Sequence, residues 1–187
     1  MANPIPTNNE IKLSTKRYIV SKTDVKGIIE YGNDYFVEIS GYTEQELVGQ
    51  SHNIVRHPDM PKVVFKMMWD RISQGKNIMA VVKNLAKNGD YYWVVTEFEP
   101  KLDPVSNEII SHTAFRKAAP QKAIDTMSAI YAKLLEIEKA GGMEASEKYL
   151  REFLVDNNTT YDKFIDEQIG NSGLFKIFFT AMKKLFS

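Results

Sequence analysis

The feature that most constrains the fold is the pair Asn88-Gly89, which lies between two runs rich in β-branched and aromatic residues. An Asn-Gly pair in this setting is a strong signal for a β-hairpin, because its residues readily adopt positive φ angles. The runs at 77–87 and 90–102 therefore predict two antiparallel strands. The turn-forming stretch DPVSNE and another such run at 108–118 add a third strand.

Two shorter strands and two short helices are predicted ahead of this hairpin. Residues 17–33 contain β-branched and aromatic residues on both sides of a turn, which is typical of a pair of short strands. Between 33 and 50 the apolar spacing becomes helical. Within that stretch, Thr43 and Glu46 form a capping-box pattern that begins a second short helix.

A further helix is predicted over residues 61–76, where Val64, Met68 and Ile72 form an apolar stripe and Gly75 ends the pattern. The order of two strands, several short helices and three strands indicates an α+β domain that ends near residue 118. Its five-stranded antiparallel sheet should carry the short helices on one face.

A C-terminal helical extension follows, with amphipathic helices predicted at 120–142, 143–155, 160–170 and 173–186. The apolar face of the last helix comprises Leu174, Phe178, Met182, Leu185 and Phe186, and its polar face Lys176, Thr180, Lys183 and Lys184. This apolar face either packs on protein or lies on a membrane surface, so membrane association is expected to be at most peripheral. The chain thus divides into a loose lead-in at 1–16, an α+β domain at 17–118 and a helical region at 119–187.

Charge and cysteine content exclude several classes of function. Lys+Arg and Asp+Glu are both 24, which argues against a nucleic-acid binder that relies on a broad positive field. There is no cysteine, so disulfides, zinc-thiolate sites, Fe–S clusters and thiol nucleophiles are excluded, as is a thiol adduct on a flavin. No signal-peptide pattern and no membrane-spanning apolar run is visible, so a cytoplasmic location is expected.

Two segments, KGIIEYGNDYFVEISGYTEQELVGQ and KNGDYYWV, resemble the PAS domain family, and the predicted order of strands and helices fits that fold. A narrower resemblance, to the flavin-binding PAS domain of bacterial aerotaxis and energy-taxis receptors, rests on HNIVRHPDMP, Trp69 and VVKNLAKNGDYYWV. It covers about residues 17–118. The resemblance implies a non-covalently held FAD whose redox state is passed to a chemotaxis signalling domain.

The resemblance also implies a set of cofactor-linked residues: Arg56, His57, Asp59, Trp69 and Asn84. Asn33 is a further candidate, because it lies where the second strand turns into the first helix, at the expected mouth of the cavity. Arginine offers a fixed fork of donors to a pyrophosphate or a ring carbonyl. Histidine can donate to a ring atom or change its protonation when the flavin is reduced. The carboxamide of asparagine can match the uracil-like ring edge in two hydrogen bonds.

Structural roles remain open at the same positions. Asp59 could cap the helix that begins near Pro61, or form a surface salt bridge with Arg56, and Trp69 could be a core residue. Three further residues are expected to be structural rather than functional: His52 as a hydrogen-bonding residue, His112 as an ordinary strand residue, and Trp93 in the core or on a sheet face.

The usual aerotaxis receptor carries a membrane anchor and a long methyl-accepting coiled coil on the same chain, and neither is found in these residues. The resemblance then implies a separate, membrane-bound methyl-accepting chemotaxis transducer as partner. The outer face of the strands VVKNLAK and YYWVVTEF is expected to contact the C-terminal helices or that partner. A homodimer through the PAS domain or the C-terminal helices is a further open alternative.

Two other functions compete with the flavin redox sensor. One is a haem-binding PAS gas sensor, in which His57 or His52 would be the proximal ligand. The other is a cofactor-free PAS module for dimerisation or docking. An enzyme is not expected, because no Gly-rich phosphate loop, metal cluster or nucleophile–base arrangement is visible in the sequence.

Overall fold

A computed structural model describes residues 4–170, 175 and 177–181. Five antiparallel strands form one sheet in the order β2-β1-β5-β4-β3. The strands are β1 Ile19–Thr23, β2 Ile29–Gly32, β3 Ile78–Leu85, β4 Tyr91–Leu102 and β5 Ile109–Ala118. The helices are α1 Asp34–Ser40, α2 Glu44–Leu47, α3 Lys62–Ile72, α4 Gln121–Asp156 and α5 Tyr161–Ile169, with a 3-10 turn at His52–Val55. This architecture confirms the α+β fold with its C-terminal helical extension.

Local signals in the sequence account for most element boundaries. The side chain of Asn33 accepts a hydrogen bond from the backbone N–H of Phe36 and so caps α1. The predicted capping box of Thr43 and Glu46 is present at the start of α2. In the hairpin loop, Gly89 has φ +90°, and a Cβ there would collide with the carbonyl of Ile5. Only glycine therefore fits this turn.

The lead-in was predicted to be loose, and the described part of it is instead paired with the start of β4. The backbone N–H of Thr7 donates to the carbonyl of Gly89 at 2.7 Å, and that of Ile11 to the carbonyl of Tyr91 at 2.7 Å. Ile11 and Leu13 also pack against the core. Backbone pairing and apolar burial together hold this segment on the domain, because both compensate the entropy of ordering it.

The two faces of the sheet have different covers. Side chains alternate along a strand, so Val82, Asn84 and Phe98 share the inner face with α3 above them. Trp93 is an odd number of positions from Phe98 on the same strand, so its side chain lies on the opposite, outer face. There its ring stacks on that of Tyr131 of α4, with the ring centroids 6.3 Å apart. The helices at 120–142 and 143–155, predicted as separate, form one element, α4, with a non-helical break at Gly142 (φ 79°, ψ 178°).

The last predicted helix is described only in part. Residues 177–181 are helical; Phe179 is fully buried, and the ring of Phe178 lies 5.6 Å from that of Tyr18. This part of the helix therefore packs on protein. The predicted positions that lie outside the described residues are Leu174, Lys176, Met182, Lys183, Lys184, Leu185 and Phe186. No helix in the described ranges combines the length and apolarity needed to cross a membrane.

Candidate functional site

A pocket opens between the inner face of the sheet and α3. The space between its lining atoms totals about 710 Å³, part of it open to solvent at the mouth. The volume open to the centre of a water-sized sphere is about 80 Å³, so the lining side chains lie close together. The apolar walls of the pocket are Phe65, Met68, Ile72, Val82 and Phe98. Aromatic and aliphatic walls of this kind suit a flat, weakly polar ring system.

A buried arginine provides the main polar feature of the pocket. Arg116 of β5 is 2% exposed, and its guanidinium donates to Oγ of Ser21 at 2.9 Å. Burial lowers the pKa of Arg116 to about 10, so the group stays charged at neutral pH. Within the described part of the chain, no carboxylate forms an ion pair with it. An uncompensated buried cation of this kind favours a ligand with negative charge or electron-rich oxygen atoms.

His52 lies beside this arginine. Its Nε2 is 2.9 Å from Nη2 of Arg116 and 3.1 Å from Oγ of Ser21, and its ring stacks on Phe36 at 5.7 Å. Burial, with a further contribution from Arg116, lowers the pKa of His52 to about 3. The imidazole is therefore neutral, with its proton on Nδ1, because Nε2 must accept from the guanidinium. The expected structural role of His52 is present, and the residue also lines the pocket.

Three more polar side chains on the inner face keep hydrogen-bonding capacity. Asn84 is 5% exposed and lines the pocket beside Tyr92. Nδ1 of His112 is buried without a hydrogen-bond partner among the described residues, whereas the buried hydroxyl of Tyr92 lies next to the side chain of Asn84. Burial raises the pKa of Tyr92, so its hydroxyl remains protonated. Buried polar atoms are normally satisfied, so Nδ1 of His112 at the pocket is available to a ligand or a water molecule.

Trp69 stands at the mouth of the pocket. It is 41% exposed, and its ring meets that of His112 edge-on at 5.5 Å. Its other neighbour is Gly27 in the β1–β2 turn, where an added Cβ would lie 3.1 Å from the indole. The structure therefore places Trp69 at the edge of the pocket rather than in the core.

Arg56 lies on the same side of the pocket as α3. Its guanidinium stacks over the ring of Phe65 at 4.2 Å and donates to the carbonyl of Met60 at 3.1 Å. Its backbone pairs with that of Asn84 in an isolated bridge, which joins the loop to the edge strand. Burial lowers the pKa of Arg56, partly offset by Glu138. The open alternative of a salt bridge with Asp59 is wrong, because Asp59 pairs with Lys83 at 2.6 Å.

Neither His57 nor Asp59 is part of the pocket lining. Lys83 and Tyr91 alternate with the inner-face residues Asn84 and Tyr92, so they point to the outer side of the sheet, where His57 lies 6.0 Å from Tyr91. The Nδ1 of His57 accepts from the backbone N–H of Asp59 at 3.0 Å. Burial and Lys83 lower the pKa of His57 to about 4.

Two other predictions for these positions also need correction. Asp59 was considered as a cap for α3, but the N-cap of α3 is Pro61, which makes no side-chain hydrogen bond. Asn33 was predicted to lie at the cavity mouth, and its side chain is instead used by the backbone. It accepts from the N–H of Val20 at 3.0 Å and donates to the carbonyl of Tyr18 at 3.0 Å, besides capping α1.

Sequence reasoning missed the pocket residues of β5. His112, Ala114 and Arg116 alternate along this strand and face inward together. The sequence does show these three residues at every second position, with the small Ala114 between the two larger ones, which is the spacing of side chains on one face of a strand. The sequence does not show the strand register, which sets Arg116 opposite Ile19 of β1 and Thr96 of β4 and so decides which face is the inner one. His112, expected to be an ordinary strand residue, therefore lies in the pocket.

Comparisons with known proteins agree with this geometry. Residues 29–110 match the family described as the PAS fold. The chain is 38% identical to the aerotaxis receptor of Escherichia coli over 133 residues, which cover 71% of this chain and 26% of that receptor. It thus spans about a quarter of the relative's length.

Solved structures with the same fold include two light-oxygen-voltage (LOV) domains. One, from a study of a flavin analogue, has a TM-score of 0.54 at 16% identity over 62% of this chain and 87% of the other. The second, the LOV domain of the photoreceptor aureochrome 1 in its light state, has a TM-score of 0.51 at 17% identity and covers 68% and 93%. The five-stranded sheet and its inner-face helices are therefore a PAS domain related to that of the bacterial aerotaxis receptors.

Proposed function

We propose that this PAS domain binds FAD non-covalently and passes the redox state of the flavin to a separate methyl-accepting chemotaxis transducer in energy taxis. The protein would act in the cytoplasm by coupling rather than by enzymatic turnover. The observation that carries the proposal is the charged Arg116, which no carboxylate of the described residues neutralises, in a pocket with aromatic and aliphatic walls. The similarity to the aerotaxis receptor supports the same function.

The residues present fit a flavin. Phe65 and Met68 would contact the faces of the ring system, and the carboxamide of Asn84 would hydrogen-bond to its pyrimidine edge. Arg56 would bind the pyrophosphate, because a guanidinium matches phosphate oxygen atoms in a bidentate geometry. Trp69 would shield the ring system from solvent at the mouth.

When bound, a flavin supplies reversible electron uptake, which adds negative charge to its ring system. Arg116 would stabilise that charge, since a fixed cation acts strongly in a buried site of low dielectric constant. His52 would keep Arg116 in place while remaining neutral. Without any cysteine in the chain, the pocket cannot form a thiol–flavin adduct, so sensing would rest on redox state.

The C-terminal helices are the proposed coupling region. The hydroxyl of Tyr131 donates to the carbonyl of Val81 at 2.6 Å, on the same edge strand that carries Val82 and Asn84 on its inner face. A change in contacts at the pocket edge of β3 would therefore reach α4 through one strand. A transducer that reads α4 or α5 would detect this change.

An absorption spectrum of the purified full chain tests the cofactor proposal. Flavin bands, with FAD as the nucleotide released on heating, are expected. A Soret band would indicate that the cofactor is haem and not FAD. His52 would be a poor proximal ligand for haem, because its Nε2 already accepts a hydrogen bond from Arg116. A chain that stays colourless after reconstitution with FAD would favour a docking module.

A binding experiment tests the proposed partner. Calorimetric titration of the cytoplasmic part of a chemotaxis transducer with the oxidised chain and with the dithionite-reduced chain should give different dissociation constants. Equal affinities in the two redox states would contradict a signalling role for this pair.

A further inference from the structure

We infer, on the basis of the proposed flavin site, that Glu138 of α4 is a positioning residue for the pocket. Its carboxylate fixes the N-terminus of α3, the helix that forms one pocket wall. Glu138, which lies outside the matched family region of 29–110, thereby connects the C-terminal helices to the flavin-binding wall.

The carboxylate of Glu138 takes the place of a local helix cap. It accepts from the backbone N–H of Lys62 at 3.0 Å and from that of Val63 at 2.8 Å. The first N–H groups of a helix have no partner within the helix, and the N-cap of α3, Pro61, provides none. A remote residue of α4 therefore satisfies two donors and places its negative charge at the positive end of the helix dipole.

The same helix carries the pocket wall. Phe65, Met68, Trp69 and Ile72 lie within the ten residues that follow Lys62 and line the pocket. A short helix moves as a rigid body, so a shift at its first turn displaces these side chains together. The position of the wall depends on what holds that turn.

Glu138 also acts on the cation at the pocket. Its charge raises the pKa of Arg56 against the lowering effect of burial. Arg56 stacks on Phe65 and donates to the carbonyl of Met60, just before α3. One carboxylate thus influences both the wall helix and the proposed pyrophosphate-binding arginine.

The fold of α4 holds Glu138 in this position. The break at Gly142 separates the two parts of the helix. Beyond it, the fully buried Oγ of Ser146 lies 3.1 Å from Oε1 of Glu138 and 2.9 Å from the carbonyl of Met143, and these two acceptors share its one hydrogen. Upstream, Tyr131 anchors the first part of α4 to β3. A change in the angle between the two parts of α4 would therefore shift Glu138 relative to α3, and a shift of α3 would be transmitted in reverse.

A matched pair of substitutions in the full chain tests the inference. Glu138→Gln removes the charge and one acceptor atom. The control, Glu147→Gln, lies on the same helix and removes an ion pair with Lys66 of α3 without touching the first turn. Ser146→Ala is the second test variant, since it weakens the support of Glu138 while retaining the carboxylate.

We expect Glu138→Gln to weaken FAD binding about tenfold, the scale of losing one charge-assisted hydrogen bond. Ser146→Ala should act in the same direction with a smaller effect, and Glu147→Gln should stay within about twofold of wild type. Amide exchange at Lys62 and Val63 should accelerate in the first two variants only. Faster exchange with unchanged FAD affinity and flavin midpoint potential would overturn the inference, because Glu138 would then be only a structural cap.

A readout without flavin separates this inference from the proposed function. If the wild-type chain takes up no FAD, the proposed function is wrong. The positioning role of Glu138 can then still be tested through the indole N–H resonance of Trp69 in an NMR spectrum. A shift of that resonance in Glu138→Gln but not in Glu147→Gln would support the role. An unchanged resonance in both variants would overturn it.

Discussion

The guanidinium of Arg116 lies 2.9 Å from Nε2 of His52, and this contact links a charged residue of β5 to a neutral histidine of the loop before α3. The two residues are far apart in the sequence and meet only because β5 is the central strand of the sheet. Since no carboxylate in the described ranges forms an ion pair with Arg116, this contact gives the pocket its positive character.

Replacing the buried cation should make the bound flavin harder to reduce. Arg116→Gln keeps hydrogen-bond donors for Ser21 but loses the charge, so the midpoint potential should fall by about 30 mV or more for a two-electron couple. Spectroelectrochemical titration measures the potential. Arg17→Gln is the control, since Arg17 is a surface residue paired with Glu38. Equal potentials in wild type and Arg116→Gln would contradict the assigned role of Arg116.

Two asparagines that the sequence marked as candidates should behave differently. Asn84→Ala should reduce flavin occupancy, because Asn84 lines the pocket. Asn33→Ala should leave occupancy unchanged but lower the free energy of unfolding by about 1–2 kcal/mol, since its side chain caps α1 and bonds to β1. Flavin titration and urea unfolding of both variants provide the measurements. Full occupancy in Asn84→Ala would refute its proposed contact.

Acidification should destabilise the fold through its buried histidines. The pKa of His52 is about 3 in the folded chain against an ordinary value of 6.5, so between these values the unfolded state binds the extra proton. The free energy of unfolding is therefore highest above pH 6.5 and falls as the pH drops towards 3, by at most about 1.4 kcal/mol per pH unit for this residue.

Urea unfolding of His52→Gln between pH 7 and pH 5 checks the assignment. Glutamine can still accept from Arg116 but does not titrate, so the dependence on pH should become shallower. His57, whose pKa is lowered to about 4, should account for part of the slope that remains. A slope identical to that of wild type would show that His52 does not contribute.

The hydrogen bond from Tyr131 of α4 to the sheet should contribute measurably to the free energy of unfolding. Tyr131→Phe removes the hydrogen bond to the carbonyl of Val81 but keeps the stacking on Trp93. The free energy of unfolding should fall by about 1–2 kcal/mol, because a buried carbonyl loses its partner. Tyr149→Phe, in the second part of α4, is a control of the same chemistry on a less buried side chain. Comparable losses in both variants would argue against a specific anchor.

The sequence by itself determined the elements and their order. The alternation of apolar residues in the strands, the stripe of α3, the capping box at Thr43 and the turn at Gly89 are local patterns, and each maps onto the structure. Such patterns depend on neighbours within a few residues, so they can be read without knowledge of the fold. Arg56, Trp69 and Asn84, which line the pocket, were proposed through the family resemblance and not through these local patterns.

Only the tertiary structure decided which polar side chains share the pocket. Strand register brings Arg116 to Ser21, 95 positions apart. The packing of the loop before α3 leaves His57 outside the pocket lining, although it follows Arg56 directly. Glu138 and Lys62, which form the cap of α3, are likewise far apart in the sequence. Contacts of this range leave no periodic trace in the chain, because they are set by how whole elements pack rather than by the preferences of adjacent residues.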